Sequence, residues 1–224
     1  MARQNAVLRQ DDQLLLSERQ LRAEGFSWVA GVDEAGRGPL AGSVVAAAVV
    51  LPSDLPELPG VFDSKQLTEA EREELFEALH ALPGIRISVA SASAAEIDKL
   101  NILRATHLAM RRAVSGIKEA DFVLVDGLPV QFTLPSRNII KGDARCASIA
   151  AASIIAKVTR DREMVELDAV YPEYGFARHK GYGTAEHLDA LKKFGPTPVH
   201  RKSFRPVYEL LPDTPVQGTL DFGI

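Results

Sequence analysis

The sequence predicts an α/β protein in which strands and helices are mixed along the chain. Three observations predict it. Ser43 to Leu51 is a run of mostly small and β-branched residues, the pattern of a buried strand. Thr68 to Leu82 opens on Thr68 with Glu71 three positions later, the capping-box start of a helix. Ile85 to Ser91 alternates apolar and polar residues, the period of a strand with one covered face. Segments of both kinds in one chain belong to the α/β class.

An amphipathic helix is expected near 11–24, with Leu14, Leu15, Leu16 and Leu21 as its apolar stripe and Gly25 ending it. Trp28 to Asp33 reads as a short strand. The stretch 52–66, with Pro52, Pro56 and Pro59, reads as loop. Pro83-Gly84 stops the helix that Thr68 begins. Ala94 to Gly116 reads as helix with a break near Asn101. Phe122 to Asp126 is a core strand turned by Gly127, and Ile139-Ile140 belong to another short strand. Asp143 to Val170 reads as one long helix with apolar positions at 147, 151, 154, 155 and 158, and Ala185 to Phe194 as another. From Glu209 the chain turns polar and proline-spotted. The expected division is a main domain over 1–170, a helical C-terminal part over 171–210 packed on it, and a flexible tail over 211–224.

With 224 residues and 46% apolar content, the chain has enough material for a real core, which excludes collagen-like, coiled-coil and wholly disordered readings. The apolar run at 44–51 is far short of the ~20 residues a membrane-spanning helix needs. A single cysteine, Cys146, excludes an internal disulfide and a multi-thiolate zinc site; in the long helix it reads as packing. The N-terminal MARQNAVLRQDDQ lacks the apolar core of a signal peptide, so the cytoplasm is the expected compartment. A monomer is the default expectation. A net charge of −4 does not exclude a nucleic-acid partner, because binding depends on where charge is placed.

Gly36-Arg37-Gly38-Pro39-Leu40-Ala41 fits the dinucleotide fingerprint G-x-G-x-x-A, which would make the protein an oxidoreductase. That fingerprint needs a helix to start there and meet the pyrophosphate. Val44, Val45, Val49 and Val50 favour a strand instead. Acidic residues at the end of an apolar strand or at a helix start are the better signal. They are Asp33-Glu34, Asp126 in Val-Leu-Val-Asp-Gly, and Asp143 in Lys-Gly-Asp-Ala. Each has a plain reading: Asp33 caps a Gly-rich turn, Asp126-Gly127 is a turn pair, and Asp143 is a helix N-cap. Together, several carboxylates at one rim repel one another unless a cation neutralises them. Oxygen-only ligands favour Mg²⁺ or Mn²⁺ over zinc, and four carboxylates balance two such ions, the arrangement of two-metal phosphoryl transfer.

Asp33-Glu34-Ala35-Gly36-Arg37-Gly38-Pro39, Asp63-Ser64-Lys65, Val125-Asp126-Gly127, Lys141-Gly142-Asp143 and His179-Lys180-Gly181-Tyr182 occur in this order. From about Gly31 to Arg205 the chain closely resembles bacterial ribonuclease HII, a type 2 ribonuclease H. The resemblance implies a ribonuclease H-like fold: a mixed central sheet flanked by helices, with a C-terminal helical part. It implies Asp33, Glu34, Asp126 and Asp143 as catalytic carboxylates holding two divalent ions, Mn²⁺ or Mg²⁺. Aspartate at the last position suits type HII better than HIII. Gly36, Arg37 and Gly38 then meet the ribose 2′-hydroxyl, and Tyr182 contacts that hydroxyl and stacks on the next sugar. One departure is Gly183, where the family usually has proline, which would free the backbone beside Tyr182. The implied reaction is hydrolysis of RNA in RNA–DNA hybrids, and 5′ to single ribonucleotides in duplex DNA as in ribonucleotide excision repair. It leaves 3′-hydroxyl and 5′-phosphate ends. A non-enzymatic alternative is a hybrid-binding module.

Residues 178–205 are basic within an acidic chain. Arg201 and Ser203 are expected at the substrate, as are Lys65, Lys141 and Lys180 beside the motifs. Lys192 and Lys193 read as a solvated helix face, and His107 and His187 as ordinary helix residues. Gln217, Leu220 and Phe222 fit Gln-x-x-Leu-x-Phe, which resembles the peptide by which bacterial replication proteins dock on the DNA sliding clamp; an inert tail is the alternative.

Overall fold

The computed structural model describes residues 14–53 and 67–211. The start of the expected 11–24 helix, the segment with Lys65, and the tail with Gln217, Leu220 and Phe222 lie outside the described residues.

Helix α1 (Leu16–Ala23) buries Leu21 and leads into β1 (Val29–Ala35), which the loop 36–43 joins to β2 (Val44–Val50). Helix α2 (Glu69–Ala81) starts on the reciprocal capping box of Thr68 and Glu71. Strand β3 (Arg86–Ala92) precedes α3 (Ala94–Leu100) and α4 (Ile102–Ser115). Asn101 breaks these two helices with φ 70°, and its Oδ1 caps α4 by accepting the Arg104 amide at 3.0 Å. Then come β4 (Phe122–Asp126), β5 (Ser136–Ile139), a 3₁₀ turn (Gly142–Ala144) and the long α5 (Ala147–Val170). Helices α6 (Phe176–His179), α7 (Ala185–Phe194) and α8 (Arg205–Tyr208) close the chain.

The strands form one sheet in the order β3-β2-β1-β4-β5. β1–β2 and β2–β3 are antiparallel; β1–β4 and β4–β5 are parallel. The C-terminal ends of β1, β4 and β5 therefore reach the same rim. The sheet is covered on both faces. Ala46, Ala48 and Val50 pack with Ala105, Ala109 and Ala113 of α4. Ala47 and Val49 pack with Ala151, Ile154 and Ile155 of α5. This two-sided burial is why β2 reads as continuously apolar. Gly31 lets α5 lie directly on β1: a Cβ there would sit 2.2 Å from the Ser148 carbonyl carbon.

The sequence expectations differ from the structure at four places. Leu16, expected in the apolar stripe of the first helix, is 60% exposed, while Leu14 and Leu21 are buried. Asp143 does not start the long helix. It lies in the 3₁₀ turn, and α5 begins at Ala147. β5 begins at Ser136, ahead of the apolar Ile139-Ile140 pair, because an edge strand with exposed Ser136, Arg137 and Asn138 has no apolar signature. The four-residue α6 and α8 are too short to show a helical period. Gly36-Arg37-Gly38 leads into an antiparallel hairpin with no helix, which removes the dinucleotide-binding alternative. The C-terminal helices pack on the end of α5 and on the 36–43 loop through Leu40, Ala41, Met164, Tyr174, Phe176 and Leu191. Among the described residues no helix is long and apolar enough to cross a membrane.

Candidate active site

Three elements deliver the carboxylates. β1 ends on Asp33 and Glu34, and its parallel neighbour β4 ends on Asp126. The register pairs Asp126 with Ile139 at the end of β5, and the chain then turns back through Lys141, at φ 56°, into the 3₁₀ turn with Asp143. This turn is tied to β4: the Gly142 amide donates to Asp126 Oδ1 at 2.5 Å. Asp33 and Asp143 are buried, and Glu34 and Asp126 are half-buried. The helix start that the sequence assigns to Asp143 is served otherwise. Glu18 of α1 accepts the Ser148 amide at 2.8 Å and the Cys146 thiol at 3.1 Å, placing a carboxylate at the N-terminus of α5.

Burial raises the Asp33 carboxyl well above the usual carboxylate range, and the charges of Glu34 and Asp126 raise it further. The Glu34 amide, donating to Asp33 Oδ1 at 2.7 Å, and the Ser153 side chain oppose this. Burial also raises Glu34, against the lowering effect of Arg37, whose Nη1 lies 3.2 Å from Glu34 Oε1. Desolvated like charges of this kind are relieved by a cation, and a carboxylate-only donor set suits a hard divalent ion. The carboxylates are not drawn into a finished cage: among the described residues no three His, Cys, Asp or Glu side chains group closely enough to hold a metal. Glu34 is turned to Arg37 and Asp126 to the Gly142 amide, so an incoming ion competes with those two contacts.

Glu34, Gly36, Asp143, Ser153, Arg160 and Tyr182 line one cleft of about 350 Å³. Its glycine wall is held from beneath by two buried arginines. Arg160 of α5 donates to the carbonyls of Ala41 (3.0 Å), Ser43 (3.2 Å) and Lys180 (3.0 Å). Arg201 donates to those of Gly36 (2.5 Å), Arg37 (2.9 Å), Gly42 (3.0 Å) and Ser43 (3.0 Å). Gly36 has φ 89°, and a Cβ there would fall 1.9 Å from Arg160 Nε, so conformation and packing both require glycine. Burial and the Arg160 charge push the Arg201 pKa down to about 9, with Glu163 opposing, and the guanidinium stays charged at neutral pH. Glu163 itself accepts the Ser43 amide at 3.0 Å and its hydroxyl at 2.5 Å.

The expected substrate contact at Arg201 is thus corrected. Arg201 is 0% exposed, and its guanidinium serves loop carbonyls. Ser203 is exposed, and its hydroxyl donates to Asp98 at 2.6 Å. Lys180 is paired with Glu69 at 3.2 Å, and Lys141 is exposed. Tyr182 is 49% exposed and stands beside the glycine wall; a Cβ on Gly38 would be 3.5 Å from its ring. The backbone of Tyr182 is tied on both sides: its amide donates to the His179 carbonyl at 2.9 Å, and its carbonyl accepts the Thr184 amide at 2.8 Å. Sequence reading missed Arg160, Ser153 and Glu163. Their only signal was a polar residue recurring on the inward side of α5.

The sequence profile of the family described as Ribonuclease HII matches residues 30–207. Ribonuclease HII of Geobacillus kaustophilus (strain HTA426) is 54% identical over 211 residues, 94% of this chain and 80% of that protein. Among solved structures, the PCNA:RNase HII complex from Archaeoglobus fulgidus matches with TM-score 0.69 at 28% identity, over 80% of this chain and 95% of that one. Ribonuclease H2 from Pyrococcus horikoshii OT3 matches with TM-score 0.64 at 30% identity, over 82% and 97%. With a ribonuclease H-like sheet and identity this high over most of its length, the chain belongs to the Ribonuclease HII family and is an endoribonuclease of the ribonuclease H type.

Proposed function

We propose that Asp33, Glu34, Asp126 and Asp143 hold two divalent ions, Mg²⁺ or Mn²⁺, and that the enzyme cleaves RNA in RNA–DNA hybrids and 5′ to single ribonucleotides in duplex DNA. The family uses divalent metal ions. The observation that carries the reading is one cleft lined by both Glu34 and Asp143 and by Gly36 and Tyr182. That pairing joins phosphodiester chemistry to recognition of a sugar. Ions bound there supply activation of the attacking water and neutralise charge on the departing 3′-oxygen. The four carboxylates orient them. Gly36–Gly38 offer backbone groups that approach a 2′-hydroxyl closely, and Tyr182 offers a ring for stacking on the adjoining sugar. Lys65, Lys141 and Lys180 are the candidate phosphate contacts, and the helical part 171–210 completes the groove. Ser203 reaches substrate by releasing Asp98; Arg201 acts through the loop it holds.

The test is cleavage of a DNA duplex carrying one ribonucleotide, with Mg²⁺, Mn²⁺ or EDTA, by wild type and Asp126→Asn. Metal-dependent nicking on the 5′ side of the ribonucleotide, lost in the variant, is expected. Folded protein that nicks neither this duplex nor an all-RNA hybrid strand refutes the reading. The tail motif Gln217, Leu220 and Phe222 tethers the enzyme to a sliding clamp in the same proposal, supported by the PCNA complex of the Archaeoglobus relative. A tail peptide that fails to bind the clamp at high micromolar concentration ends that part.

A further inference from the structure

Beneath Tyr182 lies a buried chain of imidazoles that the reaction itself does not need. His187 is 0% exposed and His200 1% exposed, and they are packed with His179 among Tyr174 and Phe176. Their backbone partners set the hydrogen-bond directions, because an amide only donates and a carbonyl only accepts. His187 Nδ1 lies 2.9 Å from the Tyr182 carbonyl oxygen. A carbonyl only accepts, so Nδ1 carries the proton, and Nε2 of the neutral ring is an acceptor. That Nε2 faces His200 Nε2 at 3.0 Å. His200 Nδ1 faces both the Thr197 amide at 2.9 Å and the Thr197 hydroxyl at 2.8 Å. The amide N–H only donates, so Nδ1 accepts and the His200 proton sits on Nε2. The chain therefore runs one way, from the Thr197 amide through His200 and His187 to the Tyr182 carbonyl. His179 makes a parallel tie: its Nε2 donates to the Tyr174 carbonyl at 2.8 Å, and its Nδ1 accepts the Gly181 amide at 3.2 Å.

The far end of this chain is joined to the glycine wall. The Gly42 amide donates to the Val199 carbonyl at 2.9 Å, and the Arg201 amide donates to the Leu40 carbonyl at 2.8 Å. Ala41 and His200 form a β-bridge. One segment, 197–201, thus holds both the loop bearing Gly38 and, through two imidazoles, the backbone of Tyr182.

We propose that His187 and His200 are positioning residues for Tyr182, setting its ring against Gly38 and so the enzyme's response to a ribose at the cleavage site. The inference rests on the reading that Tyr182 meets the sugar. The experiment is a double-mutant cycle on a duplex with one ribonucleotide at saturating divalent ion, with kcat and KM measured separately. Folding of each variant is checked by thermal unfolding. His187→Phe is expected to lower kcat about five- to tenfold, the equivalent of one lost hydrogen bond, with KM little changed. His187→Asn, whose amide N–H replaces the Nδ1 donor, is expected to recover most of the loss. In a Tyr182→Ala background, His187→Phe is expected to cost nothing further. Additive losses in that background, or Asn no better than Phe, make the histidines merely structural and overturn the proposal. Wild-type kcat in Tyr182→Ala sinks the sugar reading itself, and this inference with it. Nitrogen-15 spectra of the wild-type imidazoles test it without any variant: protons on His187 Nδ1 and His200 Nε2 are required, and the opposite tautomers overturn it.

Discussion

Replacing Arg201 by lysine keeps a charge and removes the planar fork. In the structure that fork satisfies four loop carbonyls in a site with no exposure. An ammonium group has three donors and a different geometry, so about two of the four carbonyls lose their partner. Each buried group left unpaired costs ~1–3 kcal/mol, which puts Arg201→Lys at about 3 kcal/mol. For a chain of this size that is a fall in melting temperature of roughly 6–12 °C. Displacing the Gly36–Gly38 wall by an ångström also costs catalysis, on the order of a hundredfold. Calorimetry and single-ribonucleotide cleavage, read against salt concentration, measure both. A residue that contacts a phosphate directly behaves otherwise: Arg201→Gln then keeps the melting temperature, weakens KM, and reduces the salt slope by about one. That second pattern refutes the account of Arg201 as a support of the loop.

Burial and, after it, the charges of Glu34 and Asp126 raise Asp33. A divalent ion held there would offset both, so Mg²⁺ or Mn²⁺ at a hundredfold excess over Kd is expected to add ~2.7 kcal/mol of stability, read as a rise in melting temperature. Asp126→Asn removes one of the repelling charges. It is expected to abolish that rise while melting no lower than the ion-free wild type, and a full ion-induced rise in the variant contradicts the assignment of Asp126. Burial pushes the His200 pKa down to about 4 and lowers that of His187. The unfolded rings bind protons first as pH falls below ~6.5, so stability is complete above that value and lost progressively toward pH 4. His179 and Tyr174 pack against the pair, and Arg201 follows His200 in the chain. His200 alone accounts for about 3 kcal/mol across that window, and a His200→Gln variant is expected to show a flatter urea-denaturation profile from pH 6.5 to 4.5. Gly36→Ala meets both a left-handed φ and the Arg160 side chain and is expected to lose at least ~2 kcal/mol in the same denaturation experiment.

The sequence alone determined the α/β class, the strands β1, β2 and β4, the capping-box helix and the break at Asn101. These depend on local chemistry: β-branched runs, the Thr68–Glu71 pair, and a side chain that can cap. It also singled out Asp33, Glu34 and Asp126 as candidates, because acidic residues at the ends of buried apolar strands are chemically conspicuous, and Asp143 through its place after Gly142, which read as a helix start. Only the tertiary structure decided how these are arranged. The parallel pairing of β1 with β4 puts their carboxylates at one rim, and the Gly142 amide docks the Asp143 turn against Asp126. Arg201 shows the limit most clearly. In sequence it sits in a basic segment and resembles a phosphate contact. In space it is enclosed by carbonyls from a loop more than 150 residues earlier in the chain. His187 and His200 carry no local signal either, since their partnership exists only where α7 meets the 197–201 segment. Local patterns report what a residue can do, and long-range packing selects which of its possible partners it meets.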